Sequence, residues 1–317
     1  MHLRLIVPPD RSTRVLDALV ADARVTSVVR LAGAAQRPAG DVIECDVTRE
    51  ATSDILAFLK QQGLYDEGAV AVATVDSAPS RNARATERAA PGAPDDAVIW
   101  DAVVDQAYTE SSGSWSYYAF LTLATLIAAI AVVTDSSILV VGAMVVGPEF
   151  GVVAALAVGL AMRSRQLTWR SLRLLLLGFL LAIAITTIAA IVAWAVGWID
   201  DSSVTAARPL TGFIWRPDKW SAVVAVLAGC AGVLSQTAGR SNALVGVFIS
   251  VTTVPAAGDL ALSIALWVPG HIGGAAAQLG INLAGMTLAG VLTLVLQRAI
   301  WRTPAAVSET AGARVEA

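Results

Sequence analysis

Cysteine, histidine and lysine are scarce in this chain of 317 residues, with two of each. Cys45 and Cys230 lie in two compositionally different regions, which excludes a disulfide framework. His2 and His271 are separated in the same way, so a His-based metal cluster has no ligands. The chain has no G-x-x-x-x-G-K-[ST] phosphate loop, which argues against an ATP-driven pump within it. It also has no G-x-S-x-G elbow and no C-x-x-C pair. An enzyme reading has no residues to stand on, and no cofactor or metal is expected. Charge is sparse too: 15% of residues are charged, against about 25% in soluble domains.

What fills the space is apolar: 56% of the residues, with a mean hydropathy of +0.66. The excess is uneven. Residues 1–112 hold 11 Lys/Arg and 17 Asp/Glu, whereas residues 113–317 hold 11 and 8. One polar region and one greasy region imply two domains in two solvents. The acidic first region argues against a nucleic-acid partner, which needs a basic face. Its opening residues lack the charged start and apolar core of a secretory signal, so this domain is expected in the cytoplasm.

Residues 1–77 read as a small α+β domain. His2–Val7 is strand-like and stops at Pro8-Pro9, and Arg11–Ala23 has Val15, Leu16, Leu19 and Val20 at helical spacing. Val25–Leu31 is β-rich and leads into a loop up to Gly40. Asp41–Thr48 alternates, with Ile43, Cys45 and Val47 on one side. Glu50–Gln62 is a second amphipathic helix facing inward through Ile55, Leu56 and Leu59, and Ala69–Val75 closes the set. The order βαββαβ predicts a ferredoxin-like sheet under two helices. Such a domain serves either as a dimerisation or scaffolding module or as a sensor of a small molecule.

Residues 78–114 read as a connector. Its Ser/Pro/Ala/Arg-rich part, 77–94, is a linker, and Asp95–Glu110 is an amphipathic helix with Ile99, Trp100, Val103, Val104, Ala107 and Tyr108 in one stripe. The helix either lies at a membrane surface, as Trp115, Tyr117 and Tyr118 suggest, or packs on the soluble domain.

Residues 115–302 hold six segments of the length needed to cross a bilayer, about 20 apolar residues: Trp115–Thr134, Ile138–Met162, Leu174–Ile199, Trp220–Ala238, Asn242–Val268 and Gly273–Gln297. Residues 303–317 read as a disordered tail. With both termini inside, the inner ends carry Arg163, Arg165, Arg170, Arg173, Arg240, Arg298 and Arg302. The outer side carries Arg208, Arg216 and Lys219. The positive-inside rule supports that orientation.

Two spans are interrupted. The second contains Gly147-Pro148-Glu149-Phe150-Gly151, and the fifth contains Thr252-Thr253-Val254-Pro255-Ala256-Ala257-Gly258-Asp259. Proline removes a helix hydrogen bond and clashes with the preceding turn, and freed backbone groups survive in lipid only inside protein or beside water. Each interruption falls in the middle span of three, preceded by Leu139–Gly142 or Leu244–Gly246. Spans 1–3 and 4–6 therefore read as inverted repeats, an arrangement that places transport sites at broken helices. Glu149 and Asp259 are the ionisable residues deep in these spans, where carboxylates usually line a path or relay protons. The candidate solute or ion path is Gly147, Pro148, Glu149, Gly151, Thr252, Thr253, Pro255, Gly258, Asp259 and Asn282, with Gln278 and Ser250 as further polar lining. The alternative is that both interruptions are packing kinks and the polar residues bond helix to helix. Gly147 and Gly151 also form a G-x-x-x-G pair, which permits close helix contact. Gly229 and Gly232 read as that kind of contact.

At Gly142-Ala-Met-Val-Val-Gly-Pro-Glu-Phe-Gly151 and Gly246-Val-Phe-Ile-Ser-Val-Thr-Thr-Val-Pro-Ala-Ala-Gly258 the chain resembles the prokaryotic membrane proteins of domain-of-unknown-function family 389, the uncharacterised hydrophobic-domain family. The resemblance spans the membrane region and implies a bacterial or archaeal cell membrane, with no established substrate. Many members carry an apolar residue where Glu149 stands. The sequence thus predicts a six-helix membrane bundle of two inverted three-helix repeats behind a ferredoxin-like domain. Its expected partners are the lipid bilayer, a small solute or ion, and further copies of itself. The competing expectation is a membrane-anchored sensor or scaffold that transports nothing.

Overall fold

The computed structural model describes residues 1–75, 77–90, 97–238 and 253–301. They form two compact units, one built on Met1–Val103 and the other beginning at Val104. The step in composition along the sequence is also a structural boundary.

The first unit is a four-stranded sheet with two long helices. Its elements run β1 (His2–Val7), α1 (Pro9–Ala21), β2 (Val25–Gln36), β3 (Ala39–Val47), α2 (Arg49–Gln61), the single turn α3 (Leu64–Glu67) and β4 (Ala69–Ala73). The strand order is β2-β3-β1-β4, with every neighbouring pair antiparallel. Alternation along β1 buries Leu3, Leu5 and Val7 and leaves Arg4 outside. The register sets Leu3 opposite Cys45 and Leu5 opposite Ile43, so one apolar face forms across both strands. Val15 and Leu19 of α1 and Ile55, Leu56 and Leu59 of α2 close over it. Each such fully buried side chain contributes roughly 1.5–3 kcal/mol. Pro9 opens α1 at a position whose missing N–H costs nothing.

Three expectations need correction here. Val20 is exposed rather than inward. The loop expected after Leu31 is strand, because β2 continues to Gln36 by pairing Ala35 with Gly40 and Gln36 with Ala39. Within the expected linker, α4 (Arg81–Ala89) forms, its N–H of Ala83 donating to the Ser80 hydroxyl at 3.0 Å. Alanine, arginine and glutamate are strong helix formers, which outweighs the linker-like composition. The long β2–β3 hairpin is pinned by Asp41. Its carboxylate accepts from the Ser12 hydroxyl at 2.5 Å, the Gly33 N–H at 2.7 Å and Arg30 Nε at 2.8 Å. These contacts, the Ser12 hydroxyl foremost, hold its pKa down to about 2.

Helix α5 (Trp100–Glu110) is followed by a bundle: α6 (Trp115–Val133), α7 (Ser137–Val146), α8 (Glu149–Ala161), α9 (Arg165–Ala195), the short α10 (Ser202–Thr205), a 3-10 turn (Gly212–Trp215), α11 (Lys219–Thr237), α12 (Thr253–Ala265) and α13 (Pro269–Trp301). Ser114, Ser136 and Ser164 cap α6, α7 and α9, each hydroxyl accepting a first-turn N–H. Helix α9 begins at Arg165, ahead of the expected Leu174, because that cap lets polar residues join the helix before the apolar run starts.

Among the described residues, α6, α9, α11 and α13 are each long and apolar enough to cross a bilayer, and α7 with α8 makes a fifth span bent by 54°. These are the helices of a multi-pass membrane protein. The upstream part of the expected fifth span, from Asn242, lies outside the described residues, as do Leu244–Gly246, Ser250 and Thr252. Four spans, or five with the bent pair, stand among the described residues, and the remaining expected span lies partly outside them.

The bundle has an inside and an outside. The long helices present leucine and isoleucine outward, Leu180 being 66% and Leu288 68% exposed, as expected of lipid-facing residues. Trp115 marks one end of the bundle, and Trp198, Trp220 and Trp267 mark the other. In contrast, α8 is buried from Val152 to Gly159 and α12 from Thr253 to Asp259. A helix apolar all round belongs in an interior. Helix α12 packs against α6, α7, α9 and α13, and α8 against α9 and α13. Gly258 admits α6 closely, since a methyl there would lie 2.8 Å from the Ala129 nitrogen. Gly229 likewise meets the Met286 backbone of α13, as expected.

Candidate functional site

The break in the second span follows from two residues. Pro148 has no N–H to continue the α7 ladder, and it forces its predecessor out of the helical region. Gly147 accordingly sits at φ −67°, ψ 126°. The chain resumes as α8 at Glu149, whose carboxylate occupies the helix's first turn and is 1% exposed. The positive end of α8 stabilises a negative charge there. Gly151, one turn position on, is crowded by Glu110 of α5, for a methyl at Gly151 would lie 2.7 Å from the Glu110 carboxyl carbon. Burial raises the pKa of that Glu110 carboxyl. Tyr108 of the same helix reaches the Ser164 hydroxyl at 3.4 Å.

The second interruption lies only partly within the described residues. From Thr253 through Gly258 and Asp259 the chain is helical, in α12, and what precedes Thr253 lies outside the described residues. The two segments nevertheless meet. A methyl placed on Gly147 would lie 2.9 Å from Val254 Cγ2, so the α7–α8 break abuts the first described turn of α12. Thr253 is buried at that turn.

Asp259, one turn further along α12, is fully buried and ion-paired. Arg208 Nη1 donates to its Oδ1 at 2.5 Å. Arg208 comes from the connection between α9 and α11, which folds down onto the bundle end. Asp135, in the α6–α7 turn, anchors that connection by accepting from the N–H of Leu210 at 3.2 Å and from the N–H and hydroxyl of Thr211 at 2.9 and 2.8 Å. Arg208 Nη2 lies 3.2 Å from His271 Nδ1. A guanidinium has only donors, so Nδ1 accepts and the ring is neutral with its hydrogen on Nε2. Trp215 stacks on His271 at 3.7 Å between centroids, and Arg216 lies over the same indole at 4.4 Å.

Asn282 and Gln278 are buried in α13 and bond to each other within that helix, Gln278 Nε2 donating to Asn282 Oδ1 at 3.3 Å. Gln278 Oε1 and Asn282 Nδ2 have no partner among the described residues. Of the sequence-derived residues, then, Gly147, Pro148, Glu149 and Gly151 lie at the α7–α8 break, where Gly147 faces Val254, and Thr253 and Pro255 flank that valine in α12. Gly258 and Asp259 lie along the same central helix, Asn282 is on the neighbouring one, and Thr252 is outside the described residues. Arg208, Trp215, His271 and Glu110 were not singled out. A signal for Arg208 was present: a carboxylate deep in an apolar span demands a cation, and this connection holds the arginines nearest in sequence to that end of the bundle.

The stretch from the α7–α8 break through α12 to the middle of α13 also carries the comparison with known families. The family described as "Domain of unknown function (DUF389)" matches residues 144–288. Over that stretch the chain is similar to this family. The matched stretch holds α8, α12 and the Arg208 connection, and with them the two glycine-proline segments that carry the resemblance. No curated protein and no solved structure matches the chain.

Proposed function

We propose that the bundle is a secondary transporter or channel for a small solute or ion, with the N-terminal domain regulating or oligomerising it. The observation that carries this reading is the junction where Gly147-Pro148 abuts Val254. There a bent span meets α12, which is buried from Thr253 to Asp259, and Glu149 and Thr253 are buried beside the contact. Broken helices enclosed at membrane depth are the usual construction of transport sites. Buried amide atoms on Gln278 and Asn282 extend a polar line into α13. An unmet polar group in apolar packing is costly, which favours a wettable line. The complete architecture proposed is six spans in two inverted three-helix repeats, both termini cytoplasmic, in a prokaryotic cell membrane and as a homo-oligomer. The strand order β2-β3-β1-β4 and the βαββαβ sequence support a ferredoxin-like N-terminal domain.

One observation favours a static alternative, a membrane-anchored sensor or scaffold: Asp259 is already neutralised by Arg208. Flux separates the two. Purified protein in liposomes loaded with a pH-sensitive dye is challenged with gradients of sodium, potassium, chloride and small carboxylates. Transport predicts protein-dependent flux of at least one of these, reduced at least tenfold by Glu149→Gln with melting temperature retained. Absence of flux with the whole panel favours the scaffold.

A further inference from the structure

The Arg208 connection does more than neutralise Asp259. It walls a cavity of about 590 Å³ lined by Thr205, Arg208, Trp215, Arg216 and His271, with Pro209 and small residues between them. That volume is typical of a small-molecule site. No carboxylate lines it among the described residues. Of the acidic residues at this bundle end, Asp135 holds the backbone at Leu210 and Thr211, Asp200 accepts from the Ser203 N–H and Asp218 from the Ser221 N–H, and Asp201, ahead of α10, does not line the cavity. Asp259 offsets one of the two guanidinium charges, and His271 is neutral by its bond to Arg208. Arg216, 4.4 Å from the Trp215 ring centre, has no ion-pair partner among the described residues, so the cavity lining carries a positive charge that no carboxylate within it meets. The Trp215 carbonyl is packed against Gly274 so closely that a side chain there would collide, which fixes the indole and with it the guanidinium. Arg208 spends one bond on Asp259 and one on His271, out of five donors in its fork.

We propose that this cavity binds a small oxyanion, received by the Arg216 guanidinium and the remaining donors of Arg208. Planar guanidinium forks match carboxylate and phosphate geometry in two parallel hydrogen bonds. The anion arrives either free in solution or as a lipid headgroup phosphate. This assignment stands apart from the transport reading, because binding does not require flux.

The test is calorimetric titration of inorganic phosphate into the full chain at constant ionic strength, in nanodiscs of zwitterionic lipid and of lipid rich in phosphatidylglycerol. Saturable binding is expected in zwitterionic nanodiscs. Arg216→Gln weakens it at least tenfold, and Arg216→Lys weakens it less, since lysine keeps charge without the fork. Arg216 is exposed on the connection, so both variants fold, as an unchanged melting temperature verifies. Binding retained in phosphatidylglycerol assigns a soluble anion, and binding lost there assigns the headgroup; both uphold the oxyanion site. No saturable binding in either nanodisc, or Arg216→Gln binding like the parent, overturns it.

Discussion

Glu149 and Asp259 are both carboxylates buried in an apolar bundle, and the bundle accommodates them by different means. Glu149 opens α8 directly after a break, where the helix's positive end is available. Asp259 lies inside an unbroken helix, past its first turn, and is matched by an arginine that arrives from 51 residues away in sequence. Pro148 stands at the 54° bend that puts Glu149 at a helix start. A carboxylate in a span is therefore not a feature with one meaning. Where it lies past a helix's first turn, a partner must come from elsewhere.

The contrast is broken most severely at Arg208. Arg208→Met leaves Asp259 buried without its cation and should cost about 3–5 kcal/mol, whereas the double change Arg208→Met/Asp259→Leu should recover most of it. Melting in detergent, followed by size-exclusion fluorescence, measures both. Equal melting of the single and double variants would mean that Asp259 needs no partner. Next in size is Gly258→Ala, which drives a methyl into Ala128 and Ala129 of α6 and should cost about 1–3 kcal/mol. Gly142, within α7, has open space around its missing side chain. Gly142→Ala should therefore be neutral or stabilise by up to about 1 kcal/mol in the same assay.

A third carboxylate, Asp41, sharpens the comparison in water rather than in the bundle. Its folded pKa is about 2 and its ordinary value 3.8. Because the folded value is depressed, its contribution is intact above the ordinary value and is lost as pH falls from there through about 2. Hydrogen exchange of the β2–β3 peptides should accelerate between pH 4 and pH 2.5, beyond the intrinsic pH effect, by on the order of a few-fold. Asp41→Asn should remove that excess.

The elements of the N-terminal sheet were largely legible because a period of two, a period of 3.6 and the flanking prolines all agree there. Leu3, Leu5, Ile43 and Cys45 lie on the face that alternation assigns them. The same reasoning ended β2 too early, since Gly33 and Gly40 look like loop residues until the pairing of Ala35 with Gly40 and the bond of the Gly33 N–H to Asp41 are known. In the bundle, the glycine-proline break was readable from local sterics. The Arg208–Asp259 pair was not, because counting arginines by side treats every loop cation as surface charge. The stack of Trp215 on His271 joins two distant segments that carry no shared periodicity, so nothing in the spacing announces it. Glu110 escaped for a related reason: a polar residue at the end of an amphipathic stripe reads as solvated until Gly151 is seen beneath it.

The central proposition is that water reaches the polar line beside α12. In a Cys45→Ser/Cys230→Ser background, Asn282→Cys and Thr253→Cys should react with a charged, membrane-impermeant methanethiosulfonate in nanodiscs, and Leu288→Cys on the lipid face should stay inert. If Asn282→Cys and Thr253→Cys are as unreactive as Leu288→Cys while the protein remains folded, the interior is dry and the account of a solute path is contradicted.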